Sequence, residues 1–242
     1  MPYRNLPNTD AGLAAALRKA DERCKNTPAG SIPFSPETQQ RVKTFSSVFL
    51  KELDERGGAL ANQGEATRLK MQFEAKCRMA VSHFFQVFNL GVAREKYKVT
   101  ERSYFKWDIN QEALPALTNE ADIIAAAENI INGETLRVAA GCVKMQNPSS
   151  EEVKVHLDNY TNSISNQTAK KETYEKEQKD VDKLRAEALD LVTDIWDETE
   201  FTYRKDAAPL MRRKAREFGV VYALRPGEPE EPEAPAEGTG KS

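Results

Sequence analysis

Histidine, cysteine and carboxylate side chains are the groups of this chain that could do chemistry, and their spacing argues against the common helical metal centre. A di-iron bundle of the ferritin kind takes two Glu-x-x-His pairs from its helices, which bring oxygen and nitrogen ligands together one turn apart. The only histidines are His83 and His156, and the residues three positions before them are Ala80 and Val153. We therefore predict no metal and no cofactor, although a site made of carboxylates alone stays open.

Nucleophilic catalysis has no sequence signature either. The three cysteines, Cys24, Cys77 and Cys142, are far apart and have no histidine beside them in sequence. This spacing is neither a disulfide framework nor a C-x-x-C pair, and it favours small buried apolar groups in a reducing compartment. The chain also lacks G-x-S-x-G, P-loop, G-x-G-x-x-G and H-E-x-x-H motifs. We expect a non-enzymatic protein, with a helical-bundle metal enzyme as the least favoured alternative.

Aromatic and basic side chains alternate between residues 97 and 107, a pattern that can stack the bases of a single-stranded nucleic acid. The rings are Tyr97, Tyr104, Phe105 and Trp107, and the cations are Lys98, Arg102 and Lys106. The favoured interpretation is that the rings attach a long loop to a helical bundle. A net charge of −3 gives no general attraction to nucleic acid or to anionic lipid, so we predict neither as a partner.

Membrane insertion and export are not indicated. The first residues, MPYRNLPNTDAG, have no apolar core of signal-peptide length. The most apolar stretch, AVSHFFQVFNLGVA, is interrupted by polar residues and is too short to span a bilayer. The sequence predicts a cytoplasmic protein.

The elements that position these groups are predicted to be helices. The fold class is all-α: a bundle of about four helices, a very long C-terminal helix, a short final helix and a disordered tail rich in Pro and Glu. Apolar residues recur in steps of three and four, between capping and stop signals. The four bundle helices begin near Asn8–Asp10, at Ser35-Pro36, near Gln63 and near Thr118–Asp122, and Gly57-Gly58 is predicted to separate the second helix from the third.

The long C-terminal helix is predicted because residues 149–205 contain neither proline nor glycine. Its two ends have coiled-coil-like apolar spacing, and the polar segment SNQTAKKETYEKEQKD lies between them. A break in that segment is the alternative to one continuous helix. The apolar seam is the candidate self-association surface, because a helix this long can expose more apolar area than a bundle covers. Its residues are Val153, Leu157, Tyr160, Ile164, Val181, Leu184, Leu191 and Ile195.

Two further candidate surfaces follow the long helix. A compact basic patch, the candidate site for an acidic partner, is formed by Arg212, Arg213, Lys214 and Arg216. A solvated helix face is the simpler interpretation of this patch. The alternative hypothesis is that the acidic tail, with Glu228, Glu230, Glu231 and Glu233, screens the patch until an acidic partner competes. The extended run with Val220, Val221, Tyr222 and Leu224 is expected to dock on its own bundle, or else on a neighbouring subunit.

Domain organisation and function are predicted from these elements. The expected divisions are a helical bundle at 1–146, the long helix at 147–206, the basic helix and extended run at 207–225, and the tail at 226–242. The expected function is that of a structural or scaffolding protein that self-associates, as a homo-oligomer or filament, through its long C-terminal helix. The alternative is an adaptor that binds another protein through its C-terminal segment.

Overall fold

The computed structural model describes residues 2–111 and 113–227, and of Ala29 only the backbone. Five α-helices dominate these residues: α1 Asp10–Asn26, α2 Pro36–Ala93, α3 Glu120–Ala139, α4 Ser150–Tyr203 and α5 Ala208–Glu217. Short 3₁₀ helices span Ala29–Ser31 and Val99–Phe105, and two-residue strands β1 (Tyr3–Arg4) and β2 (Tyr222–Ala223) pair antiparallel. The all-α prediction with a very long C-terminal helix is confirmed. The predicted disordered tail lies, from Glu228 onward, outside the described residues.

The predicted break at Gly57-Gly58 is wrong, because α2 runs through both glycines from Pro36 to Ala93. A glycine inside a helix costs about 1 kcal/mol relative to alanine but keeps its N–H donor, whereas proline removes one. Good helix formers flank the pair on both sides, so the helix continues. Two predicted helices are therefore one, and the part of the chain up to residue 146 contains three α-helices among its described residues.

The predicted alternative of a break in α4 is also wrong. Helix α4 is continuous over 54 residues, including the whole polar segment. Ion pairs at helical spacing support that segment, since Asp180 pairs with Lys176 at 3.4 Å and with Lys183 at 2.6 Å.

Contacts group the chain into two compact units that are discontinuous in sequence. Unit 1 comprises residues 1–58 and 175–242, and unit 2 comprises residues 59–174. Helices α2 and α4 each contribute one segment to each unit. The sequence divisions at 146, 206 and 225 follow chain order, whereas the units join segments that are distant in the chain.

Unit 1 has a core of aliphatic and aromatic side chains from α1, α2, α4 and α5. Its largest buried members include Leu17, Phe49 and Trp196. The start of α2 is capped as predicted, since the Thr38 backbone N–H donates to Ser35 Oγ at 3.2 Å. Glu198 of α4 strengthens this end by accepting from Thr38 Oγ1 at 2.6 Å, because a carboxylate is favourable at a helix N-terminus.

Unit 2 has an aromatic core. Phe84, Phe85 and Phe88 of α2 are fully or almost fully buried. The ring of Phe105 lies between 5.0 and 6.3 Å from all three, and the Trp107 ring lies 5.2 Å from Phe85. Three of the four rings of the 97–107 segment are therefore core side chains that attach this segment to α2 and are not exposed for base stacking, namely Tyr97, Phe105 and Trp107. The fourth ring, Tyr104, is half-buried.

Acid should weaken unit 1 through Asp10, the first residue of α1. Its carboxylate accepts from Arg185 Nε at 2.7 Å and from Arg56 Nη1 at 2.6 Å, which links three helices. The hydrogen bond from Arg185 is the main cause that holds the pKa of Asp10 below its usual value. Because the folded pKa is the lower one, the stabilisation is complete above the unfolded pKa of Asp and disappears as the pH falls through the folded pKa.

We expect Asp10→Asn to lower the free energy of unfolding by about 1–2 kcal/mol at neutral pH. That difference should shrink progressively as the pH is lowered below about 4, as measured by urea unfolding at several pH values. Asp158→Asn is the matched control, because its pair with Lys154 is more than half exposed on both sides. The control should cost about 0.5 kcal/mol or less. A cost of Asp10→Asn that does not depend on pH would contradict the assignment.

Candidate functional site

The apolar seam of α4 is covered within the chain. Val153, Leu157 and Tyr160 are buried in the core of unit 2, and Ile164 is partly buried against that core. In the core of unit 1, Leu184 is partly buried and three seam residues are fully buried: Val181, Leu191 and Ile195. The premise of an exposed seam is therefore wrong, because each end of α4 lies in the core of its own unit. Any self-association needs another surface.

The extended run after α5 is paired with the N-terminus of the same chain. Tyr222 is opposite Arg4 in the two-stranded sheet, and the Asn5 backbone N–H donates to the Val221 carbonyl at 2.9 Å. Val220 is buried, whereas Val221 and Leu224 are exposed. This is the intramolecular docking that the sequence favoured.

The four predicted basic residues do not form one surface patch. Arg212 is buried, and Lys214 pairs with Asp206 at 2.9 Å. The Arg216 guanidinium lies 5.4 Å from the ring centre of Tyr222, which leaves Arg213 as the exposed member of the four. The physical reason is that consecutive residues of a helix point about 100° apart, and one side of α5 packs on unit 1. The acidic tail proposed to screen this patch lies outside the described residues.

Three carboxylates come together on the surface of unit 1. Ligand oxygens of Glu52, Glu177 and Asp180 lie within 4.8 Å of one another. Lys176 pairs with Glu177 at 3.0 Å, and Lys183 pairs with Asp180 at 2.6 Å. These lysines compensate the acids, so the cluster is typical of a charged helix surface and does not point to a metal.

Two of the three cysteines, Cys24 and Cys77, are in environments that disfavour the reactive thiolate. Cys24 and Cys77 are buried, and Cys142 is partly exposed. Burial raises the pKa of Cys77 to about 11, so at neutral pH its thiol is protonated and weakly nucleophilic. Burial likewise raises the pKa of Cys24.

A buried ion network in unit 2 was not predicted from the sequence. The Arg137 guanidinium is fully buried and donates to both oxygens of Glu134 at 2.9 Å and to Glu101 Oε2 at 2.7 Å. Glu134 Oε1 also accepts from the Met145 backbone N–H at 2.6 Å, and the Val143 carbonyl accepts from Arg137 at 2.6 Å. The signal in the sequence was the i, i+3 pair Glu134–Arg137, which periodicity alone assigns to a surface. None of these three side chains has a buried polar atom without a hydrogen-bond partner, so the network is satisfied without a ligand.

A cavity of about 480 Å³ lies within unit 1, lined among others by Ala15, Lys19, Trp196 and Arg216. A second cavity, of about 720 Å³, lies within unit 2 at the C-terminal end of α2. Leu90, Val92, Ala93, Ala113 and Leu114 form its apolar lining. Gln86, Asn89 and Arg102 add polar groups. This volume is within the usual range for small-molecule sites.

Helix α2 also presents an exposed apolar face in unit 2. Four large apolar side chains of α2 are exposed among the described residues of this unit, namely Leu60, Met71, Met79 and Leu90. Ala75, between the two methionines, is exposed too. We call this surface, from Leu60 to Leu90 with Ala75 at its centre, the α2 face. The sequence analysis missed this face because buried phenylalanines dominate the apolar pattern of the predicted third helix, and because Leu60 lay in the predicted break before that helix.

Comparisons with known proteins add no assignment: no protein-family model matches this chain, and neither a curated protein nor a solved structure does. Among the described residues, no helix combines the length and the apolar character needed to cross a membrane. The candidate surfaces are therefore judged on their own geometry.

Proposed function

We propose that this protein is a non-enzymatic scaffold that associates with a second copy of itself through the α2 face. The observation that carries the proposal is the symmetry of that face about Ala75. Met71 and Met79 are four residues before and after Ala75, and Leu60 and Leu90 are fifteen residues before and after it. The exposed fractions also match in pairs, at 66% and 65% for the methionines and 53% and 54% for the leucines.

A symmetric face of this kind suits a two-fold contact. When two such helices pack antiparallel with their Ala75 residues opposed, Met71 of one copy meets Met79 of the other, and Leu60 meets Leu90. At 100° per residue, the methionines lie about 40° to either side of Ala75 and the leucines about 60°, so all five share one side of the helix. In an isologous contact each surface is complementary to itself, so assembly stops at a dimer.

The rest of the α2 face favours close approach. Ala75 is small at the point where the helices would cross, and methionine side chains adapt to irregular surfaces. The two arginines on this side of the helix are already paired within it. Arg68 donates to Glu65 at 2.7 and 2.9 Å, and Arg78 donates to Glu74 at 2.7 Å. Pairing therefore leaves no isolated charge in the centre of the contact.

Charges beside the face meet their like across the two-fold axis. Glu74 and Lys76 lie on opposite flanks of Ala75, and an antiparallel two-fold pairing places Glu74 beside Glu74 and Lys76 beside Lys76 of the other copy. Because like charges at flanking positions weaken a helix pair, they lower the affinity of this contact, although Glu74 is already paired with Arg78 of its own chain. The contact spans roughly 45 Å of helix, and a single helix pair buries a modest area. We therefore expect an equilibrium that depends on protein concentration.

The expected result is a mass that rises toward twice 27.2 kDa with increasing concentration of the full chain, measured by sedimentation equilibrium. Met79→Glu should weaken dimerisation by roughly tenfold or more, because it places two charges in an apolar contact. Val155→Glu is the matched control, since Val155 is a 58% exposed side chain of α4 in the same unit. A wild-type mass that stays monomeric at high concentration would contradict the proposal.

Register can be tested by cross-linking. Under mild oxidation Ala75→Cys should form a covalent homodimer, because the two thiols face each other across the two-fold axis. Met79→Cys alone should not form a covalent homodimer. The two thiols introduced at position 79 of a dimer would be eight residues, or about 12 Å, apart along the helix axis. A mixture of Met71→Cys and Met79→Cys proteins should cross-link. Equal cross-linking of all three samples would exclude this register.

A further inference from the structure

We infer that the 720 Å³ cavity of unit 2 is a binding site for a small organic anion, a monocarboxylate with a short apolar chain, and that Arg102 is the residue that recognises its carboxylate. This goes beyond self-association, and Leu90 is the one residue that the argument takes from both the cavity lining and the α2 face. The first observation is the burial of Arg102, which as a whole residue is only 6% exposed.

The described part of the chain supplies Arg102 with neutral acceptors. Nη1 donates to the carbonyls of Ile109 at 3.0 Å and Gln111 at 3.1 Å, and Nη2 donates to Asn89 Oδ1 at 2.8 Å. No ion pair to a described carboxylate is formed by this side chain. The Trp107 ring covers the guanidinium at 4.8 Å, which supplies attraction but no counter-charge.

Two N–H donors of the Arg102 guanidinium have no acceptor among the described residues. Arginine has five N–H donors, and the three bonds above use three of them. The remaining two are on Nε and Nη2, and Nε is buried without an acceptor among the described residues. These two nitrogens form one edge of the guanidinium fork, which is the geometry that binds a carboxylate through both oxygens. A buried cation without a counter-charge is costly, and an anion in the adjoining cavity lowers that cost.

The apolar lining of the cavity indicates what the rest of the ligand, beyond its carboxylate, should be. Arg102 lies in a lining that is otherwise mostly apolar, with Leu90, Val92 and Leu114 among its members. Ligand sites of this kind combine apolar walls with a few polar groups that fix orientation. The amides of Gln86 and Asn89 belong to the same lining, and a carboxylate on an aliphatic chain satisfies both parts. Such a ligand leaves the ion network of Arg137 undisturbed, because that network is complete without it.

Titration calorimetry of the full chain with acetate, butanoate, hexanoate and octanoate tests the inference, with 1-octanol as the neutral probe. Affinity should rise about threefold to fourfold for each methylene until the cavity is filled. Octanoate should bind about 10- to 100-fold more tightly than 1-octanol, because only the carboxylate pairs with Arg102. Equal binding of the two probes would overturn the assignment of Arg102.

Two variants separate recognition from folding. Arg102→Gln should weaken the binding of octanoate by the same 10- to 100-fold and leave the affinity for 1-octanol unchanged. Because Arg102 also holds two loop carbonyls, Ala113→Phe is the second variant, which fills the cavity from an exposed position that lines it. It should abolish octanoate binding. Ala116→Phe, exposed in the same segment and outside the lining, is its matched control and should bind octanoate as the wild type does.

Glu112 provides the decisive comparison, since it follows Gln111 in sequence and lies outside the described residues. Glu112→Gln and the wild type should bind octanoate alike if the cavity takes an external anion. Binding by Glu112→Gln alone would show that the chain neutralises Arg102 itself, and it would overturn the inference. Absence of octanoate binding from both proteins would do the same.

Discussion

Replacing Arg137 with methionine should lower the free energy of unfolding by about 3–5 kcal/mol, because it leaves two buried acids without their cation. Glu134 is 1% exposed and Glu101 is 12% exposed at the side chain, so water does not take the place of the guanidinium. The Arg137 side chain also donates to the Val143 carbonyl, and its guanidinium lies 4.9 Å from the ring centre of Tyr97. Urea unfolding at neutral pH measures the loss.

The double variant separates charge from packing. Glu134→Gln keeps the shape of the acid and removes its charge, so adding it to Arg137→Met should recover part of the loss. The losses of unfolding free energy in the two single variants, added together, should exceed the loss in the double variant by about 1–3 kcal/mol. Such a difference is typical of residues in one network. Strictly additive costs would mean that Arg137 and Glu134 are not energetically coupled. A cost below about 1 kcal/mol for Arg137→Met would show that its partners are hydrated.

Gly133→Ala should be the second large effect, lowering the free energy of unfolding by about 1–3 kcal/mol or more. Gly133 is buried in α3, and a Cβ there would lie 2.4 Å from the Tyr104 carbonyl oxygen and 2.7 Å from the Phe105 ring. The first neighbour is backbone, so it cannot rotate away. The 3₁₀ helix Val99–Phe105 would have to move from α3, and with it the Phe105 ring that packs on α2.

Gly58→Ala is the matched control with the opposite sign. Gly58 is also helical, and a Cβ built on it has no neighbour within 4 Å. Alanine restricts the unfolded chain and fits the helix without strain, so this variant should gain about 0.5–1 kcal/mol. Thermal unfolding of both variants beside the wild type checks the pair. A stabilising Gly133→Ala would contradict the close approach of the 3₁₀ helix.

Glycine roles show where sequence reasoning reached its limit. Gly57-Gly58 resembled a helix stop, and Gly133 resembled a weak point in α3. The fold places the first pair inside an uninterrupted helix and makes Gly133 the point of closest contact between α3 and Tyr104. From the sequence alone, a glycine indicates only that a Cβ is absent at that position. Whether that absence serves a turn, a close contact or nothing depends on what packs beside it.

The α4 seam shows the same limit for apolar periodicity. The spacing of Val153, Leu157 and Tyr160 correctly identified one apolar side of a helix, yet it could not say what covers that side. In the structure all three are buried in unit 2. A second apolar surface, the exposed α2 face, was missed, because buried phenylalanines dominate the pattern around Met71 and Met79.

The sequence by itself determined the helical class, the start of α2 after the cap Ser35, the presence of a very long C-terminal helix and the absence of the common catalytic motifs. These depend on local chemistry: capping groups, proline and glycine placement, and side-chain spacing along one helix. Only the tertiary structure decided that α4 is covered, that Arg137 and Arg102 are buried cations, and that the α2 face is left exposed. Burial depends on segments far apart in the chain, and no local pattern records which of them meet.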